Sequence, residues 1–329
     1  MSGEPLGSLD TVDGRPVLRF ERRLAHPPEK VWRAVTEPAE LAHWFPAAVS
    51  GRPAQGATLE FGFGESTDST VDYSEGTVTE FDPPRVFEFR WAGSTLRFEV
   101  VPDGEGSRLL FSHTLDGATT AGDRPSAARQ APGWDACLAA LAARLDGHWA
   151  PEPDQRWFLE RAERYVEAFG LGRGEVRDTG DGFLLRFERD LVQDRDTVWA
   201  ALAEGDEPAI GEPAPVRFTH GYVEPGEVIA VEPRRIAEYG WRHDGEQAGR
   251  VRVELREQEP VGTRLVVTQT VPHRLAEVRA TLLAAWQTHL ELLFAALHGD
   301  VRCPWPAERT ERLRADYARN LRAGAGVGS

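Results

Sequence analysis

FERRLAHPPEKVW, residues 20–32, recurs as FERDLVQDRDTVW at residues 187–199 without a gap. Leu18, Phe20, Arg22, Leu24, Val31 and Trp32 meet Leu185, Phe187, Arg189, Leu191, Val198 and Trp199 at a constant offset of 167. A repeat of this kind decides the architecture before any local reading, because a missed repeat misassigns every element after it. In the first copy Leu18, Phe20 and Leu24 alternate with Arg19, Glu21 and Arg23, the period of two of a half-buried strand. HPPEKVWRAVTEP then opens a helix with proline in its first turn and closes it before Pro38.

The correspondence runs on through the chain. FDPPRVFEFRW (81–91) matches VEPRRIAEYGW (231–241), and SRLLFSHTL (107–115) matches TRLVVTQTV (263–271). GWDACLAALAARLDG (133–147) matches AWQTHLELLFAALHG (285–299), keeping Trp134 with Trp286, Leu138 with Leu290, Leu141 with Leu293 and Leu145 with Leu297. Those leucines and Trp134 recur at spacings of four, three and four, one apolar stripe on a helix that needs a sheet to cover. The offset falls from 167 to 150 before the middle motif, so the second copy is 17 residues shorter between its first helix and its central strands, the loss corresponding roughly to ELAHWFPAAVSGRPAQGATLEFGFG. Each copy reads as strand, short helix, several strands, long helix. Strand phase turns Phe87, Phe89 and Trp91 inward, with Leu96, Phe98 and Val100, and Leu109, Phe111, His113 and Leu115.

HWAPEPDQ breaks the chain between copies, and RWFLERAERYVEAFGLG follows as an amphipathic helix expected to bury Phe158, Ala162, Tyr165, Val166 and Phe169. ERTERL after the second copy echoes ERAERY, so the repeat unit includes a trailing helix. The expected organisation is a first domain over 10–148, a linker and helix over 149–178, a second, shortened domain over 179–300, and a trailing helix with a disordered GAGVGS tail over 301–329.

A length of 329 residues suits two domains better than one. With 41% hydrophobic and 28% charged residues the composition is that of a globular protein. A net charge of -15 and a pI near 5.1, without a compensating basic cluster, argue against nucleic-acid and acidic-membrane partners. The apolar stretches read as interrupted by charge before a membrane span is reached, and MSGEPLGSLDTVDG lacks a basic-then-apolar leader, so a cytoplasmic location is expected. Cys137 and Cys303 stand outside any metal-spaced motif. No phosphate loop, HExxH or recognisable nucleophile motif occurs, GFGES at 62–66 included, and no cofactor or metal is expected.

FERRLAHPPEKVWRAVTEPAELAHWF, the strands around EGTVTEFDPPRVFEFRW and the terminal GWDACLAALAARLDG together resemble the START-like, birch-pollen-allergen-like superfamily. The similarity is greatest to its SRPBCC homologues of the activator of the heat-shock-protein-90 ATPase, over about residues 15–147 and more weakly 182–299. The resemblance implies an α+β fold of two tandem helix-grip domains, each a curved antiparallel sheet around a long C-terminal helix with an apolar cavity between. On that reading Phe20 and Phe187 point into the grip, and the Val-Trp pairs anchor the first helix over the sheet.

The cavity would be walled by Trp44, Phe45, Phe61, Phe63, Phe89, Trp91, Phe98, Phe111, His113 and Trp134, unless these aromatics simply fill it as a core. His113, placed by strand phase among apolar side chains, can serve as general acid or base on a carbonyl compound or merely as a hydrogen-bonding wall; the second copy has Gln269 there, which cannot transfer protons in that way. Arg22 and Arg189 can receive a ligand carboxylate, or can pair with a nearby carboxylate in an architectural role. Trp44 and Phe45 stand as lid or core cap, with His43 solvated beside them.

Three functions follow. The preferred one is binding of a small apolar or aromatic molecule in the N-terminal domain, the C-terminal copy being mainly structural. The second is a polyketide cyclase/aromatase-like enzyme using His113, Arg22 and Tyr73 or Ser112, though strand phase turns Ser112 away from His113. The third, carried by the family name, is a co-chaperone-like module with a protein partner.

Overall fold

The computed structural model describes residues 5–62, 73–117, 122–258 and 262–325. Phe63, most of GFGES and residues 326–329 of the tail lie outside them. The chain divides into two compact units, Met1–Phe169 and Gly170–Ser329, each holding one copy of the repeat with its trailing helix. The architecture is α+β, two tandem helix-grip domains built on two antiparallel sheets.

In the first unit β1 (Ser8–Val12) and β2 (Arg15–Leu24) lead into the short helices α1 (Pro28–Thr36) and α2 (Pro38–Leu41). Strands β3 (Ala48–Ser50), β4 (Thr58–Gly62), β5 (Tyr73–Asp82), β6 (Val86–Trp91), β7 (Ser94–Asp103) and β8 (Gly106–Thr114) follow, then α3 (Ala127–Leu145) and α4 (Gln155–Ala168). The eight strands run in the order β1-β2-β8-β7-β6-β5-β4-β3, so β2 closes on β8 across the whole repeat. Phe87, Phe89, Leu96, Phe98, Val100, Leu109, Phe111 and Leu115 are buried as their strand phase requires, against Trp134, Leu138, Leu141 and Leu145 of α3. Trp91, at the end of β6, is only half-buried.

The second unit repeats the plan with β9 (Glu175–Asp178), β10 (Gly182–Leu191), α5 (Arg195–Ala203), β11 (Glu224–Glu232), β12 (Ile236–His243), β13 (Glu246–Glu257), β14 (Thr263–Pro272), α6 (Arg279–Leu297) and α7 (Ala307–Ala325). Its sheet, β11-β12-β13-β14-β10-β9, has no counterpart of β3 or β4 among the described residues, which is where the 17 residues are lost. A one-turn helix over Val216–Phe218 and isolated bridges from Ile210 and Pro213 to β11 run there instead. The Asp194 carboxylate caps α5 by accepting from the Thr197 N–H at 2.8 Å, while Pro28 opens α1 without a capping side chain.

The motif that opens the chain's repeat is buried alike in both copies: Phe20, Phe187, Val31, Val198, Trp32 and Trp199 all belong to the cores. The repeat also begins earlier than the motif. Gly7 and Gly174, again 167 apart, sit where a Cβ would lie 2.6 Å from the Phe20 ring and 2.3 Å from the Phe187 ring. Each donates its backbone N–H to a tyrosine of its own trailing helix, Gly7 to Tyr165 at 3.0 Å and Gly174 to Tyr317 at 2.8 Å.

Two expectations are corrected. Helix α4 buries Leu159, Arg161 and Tyr165, with Phe169 buried just beyond its end, while Phe158 is exposed and Ala162 and Val166 are half-buried; the expected face holds at Tyr165 and Phe169, and earlier in the helix burial goes to Leu159 and to Arg161, which pairs with Asp135. The stretch His273–Leu297 is long and apolar enough to cross a membrane; two thirds of its most apolar window is buried beneath the second sheet, which explains the composition.

Candidate functional site

His113 lies on β8 between Leu18 of β2 and Leu96 of β7 in register, and only 7% of it is exposed. About two turns into α3 the indole of Trp134 reaches it, donating Nε1–H to His113 Nδ1 at 2.9 Å. An indole N–H can only donate, so Nδ1 must accept and the proton of the neutral ring sits on Nε2. Burial, reinforced by the positive charge of Arg15, lowers the His113 pKa to about 4 and keeps the ring neutral at pH 7.

A cavity of about 270 Å³ opens beside this pair. Trp91, Leu96 and Trp134 form its apolar wall, His113 supplies a buried polar group, and Ser94, Asp116, Arg129 and Gln130 lie round its rim. The Trp91 indole is held from behind by its own donation to Ser74 Oγ at 2.7 Å. The arrangement offers an apolar slot bordered by a neutral imidazole, with Asp116 and Arg129 among the residues round its mouth.

The other residues expected at a cavity are placed differently. Phe61, Phe89, Phe98 and Phe111 are fully buried and pack on one another, with Phe61–Phe89 at 5.4 Å and Phe98–Phe111 at 4.7 Å between ring centroids. They fill the grip as a core. Phe45 is the hub of this cluster, with Phe61, Phe89, Trp91 and Trp134 all within 6.2 Å. Trp44 is tied to the first helix through Nε1–H to the Ala34 carbonyl at 2.9 Å. Both border a separate groove of about 400 Å³ beside Cys137, His148 and Trp149, so they are wall and core rather than a lid over His113. His43 meets Trp149 edge-on there. Ser112 pairs with Arg19 and Arg97 in register, on the sheet face opposite His113.

Arg22 does not reach the cavity. Its guanidinium donates to Asp135 at 2.5 Å, and the other carboxylate oxygen of Asp135 accepts from Arg161 and from the Tyr165 hydroxyl, each at 2.5 Å. All four side chains are buried, a charge cluster tolerable because every partner is within hydrogen-bond reach. In the second copy Arg189 is equally buried and Gln287 replaces Asp135; because Tyr317 takes the place of Tyr165, the trailing helices correspond at an offset of 152, four residues from the ERAERY–ERTERL echo, and Leu313 stands where Arg161 does, so carboxylate and arginine are lost together. Tyr317 donates to Gln287 at 2.7 Å where Tyr165 donates to Asp135. Sequence reading passed over Asp135 and Arg161; the available signal was a carboxylate inside the apolar stripe of α3.

The second copy also keeps the Trp134–His113 contact in altered form. Trp286 Nε1–H donates to Gln269 Oε1 at 2.7 Å, and His220 packs edge-on against Trp286 at 4.8 Å. Phe218, Val253, Trp286 and His289 enclose a void of only about 10 Å³. That is room for about one water.

Residues 25–146 match the family model of the Activator of Hsp90 ATPase homolog 1-like protein. Over these residues the first domain is similar to AHSA1-like proteins. No curated protein matches the chain. Among solved structures, CalU16 from Micromonospora echinospora is 20% identical, covering 51% of this chain and 98% of its own, with a TM-score of 0.40. BPP1335 from Bordetella parapertussis is 28% identical over 46% of this chain and 85% of its own, at 0.38. DynU16, from the dynemicin biosynthetic locus, is 17% identical and extends over 86% of this chain and 97% of its own, at 0.35. The AHSA1-like match covers the cavity residues from Trp91 to Trp134, and the second copy lies beyond it.

Proposed function

We propose that the AHSA1-like domain binds a small aromatic molecule in the cavity beside His113, and that the second domain is mainly structural. The observation that carries this reading is the pairing of an apolar slot between Trp91, Leu96 and Trp134 with a single neutral imidazole in its wall. Binding sites for small molecules combine a largely apolar lining with a few placed polar groups, and this one does so on a small scale. A dry cavity of about 150 Å³ accepts benzene. At about 270 Å³ the slot suits a molecule of one or two rings. Beside Trp286, where His220 stands against the indole, the second domain holds a void of about 10 Å³, and its larger pocket of about 470 Å³ lies elsewhere, between Thr288 and Glu291 of α6 and residues 301–306.

Proton-transfer catalysis is not favoured. His113 has its one lone pair committed to Trp134, and Ser112 lies on the other sheet face.

The test is native mass spectrometry of the purified full chain followed by denaturing extraction. A stoichiometric aromatic molecule, lost from Trp91→Ala, is expected. A clean apo mass, with no thermal shift and no quenching of tryptophan fluorescence across a panel of one- and two-ring aromatics, would overturn the reading.

A further inference from the structure

We propose that Trp134 is a positioning residue: it fixes His113 as a permanent N–H donor, so that the ligand of this cavity is one bearing an acceptor oxygen, a carbonyl or a phenolate. The proposal rests on the small-molecule reading above and names the chemistry of its ligand.

Indole Nε1–H and imidazole Nδ1 lie 2.9 Å apart, and the indole has nothing to accept with. A neutral imidazole owns one N–H and one lone pair, so the lone pair is consumed and the N–H is presented from Nε2. The ring borders the cavity, and no hydrogen bond within the described residues takes up that Nε2.

The second copy keeps the same donor from the tryptophan. Gln269, the counterpart of His113, accepts the Trp286 N–H on Oε1 at 2.7 Å. Its amide nitrogen is buried, Gln269 as a whole being only 1% exposed, and makes no well-formed hydrogen bond among the described residues, His220 being the polar group its side chain meets. Histidine and glutamine differ in nearly everything at this place: charge on protonation, ring against chain, capacity to transfer a proton. They share one capability, which is to accept from an indole at one end while offering an N–H at the other. What the two copies keep in common is therefore hydrogen-bond donation aligned by a tryptophan. A donor buried in an apolar wall favours an oxygen acceptor over a hydrocarbon of the same shape, because leaving the N–H unmatched on binding costs free energy that the apolar contacts do not return.

Acetophenone and α-methylstyrene form a suitable pair of probes, alike in shape and differing in C=O against C=CH2. Their affinities are to be measured by fluorescence titration on the full chain, alongside side-chain ¹⁵N NMR of His113 at pH 7. The wild type is expected to show a protonated Nε2 and an unprotonated Nδ1, and to bind the ketone about tenfold more tightly. His113→Gln should keep that preference, since glutamine reproduces both ends, and His113→Leu should reduce the ratio to near one. Trp134→Phe should give a mixture of tautomers and a weaker preference. Equal affinity for the two probes in the wild type, or a proton on Nδ1, would overturn the proposal while leaving aromatic binding standing. Failure of both probes and of every other aromatic would overturn the binding reading and this proposal with it. If Trp134→Phe does not fold, the comparison of His113→Gln with His113→Leu still decides.

Discussion

The backbone N–H of Gly7 donates to the Tyr165 hydroxyl at 3.0 Å across 158 residues of sequence, tying the first residues of the domain to its last helix. The same bond recurs at Gly174 and Tyr317, so each trailing helix is latched to the start of its own copy.

Tyr165→Phe leaves the Gly7 N–H without its acceptor and Asp135 without one of its donors. The expected loss is about 1–3 kcal/mol for the first domain, and Tyr317→Phe should cost the second a similar amount. Urea denaturation followed by probes specific to each domain checks this, since a two-domain chain need not unfold in one step. Gly7→Ala drives a methyl into the Phe20 ring and should destabilise by about 1–3 kcal/mol through overpacking.

Asp135→Leu strands Arg22 and Arg161 as buried cations, with an expected loss of about 3–5 kcal/mol. The double substitution Asp135→Gln with Arg161→Leu copies the second domain's solution, Gln287 with Leu313, and should recover at least half of that loss. A double-mutant cycle in urea reads the coupling directly; additive costs would show that the pair is not a unit.

Acidification should unfold the domains through their buried imidazoles. Burial lowers His113 from 6.5 to about 4, His220 to about 3 and His289 to about 4. A depressed histidine pKa means that the unfolded chain binds more protons, so stability rises with pH through the window between folded and unfolded values. The contribution is complete above about pH 6.5 and declines as pH falls toward 4. The second domain, with two such rings, is expected to weaken first. In the first domain His113→Gln should flatten the profile between pH 4.5 and 6.5, measured as the urea midpoint at each pH.

The two cysteines should separate on alkylation. Burial pushes the Cys137 thiol up to about 12, whereas Cys303 is exposed. Iodoacetamide at pH 8 is expected to label Cys303 alone in the folded protein and both in urea, as read by peptide mass spectrometry.

Most of the architecture was legible because it depends on short-range periodicity. The alternation around Phe20, the proline at the start of α1 and the leucine stripe of α3 each report a local geometry that the fold then uses unchanged. The inward phase of His113 was legible for the same reason. The face of α4 was not: Phe158 is as apolar as Leu159, and only the position of Asp135 made Arg161 the residue to bury.

Sequence by itself determined that this is a tandem of two helix grips, that the second is shorter, and that an imidazole in one stands where an amide stands in the other. Only the tertiary structure decided that Phe61, Phe89, Phe98 and Phe111 fill the first grip while the space lies beside His113, that Arg22 belongs to Asp135, and that Trp134 sets the proton on His113. The physical reason is range. Periodicity is written within one element, whereas a cavity is the volume left by side chains from many elements, and a hydrogen bond such as Trp134 to His113 exists only once helix and sheet have closed on each other.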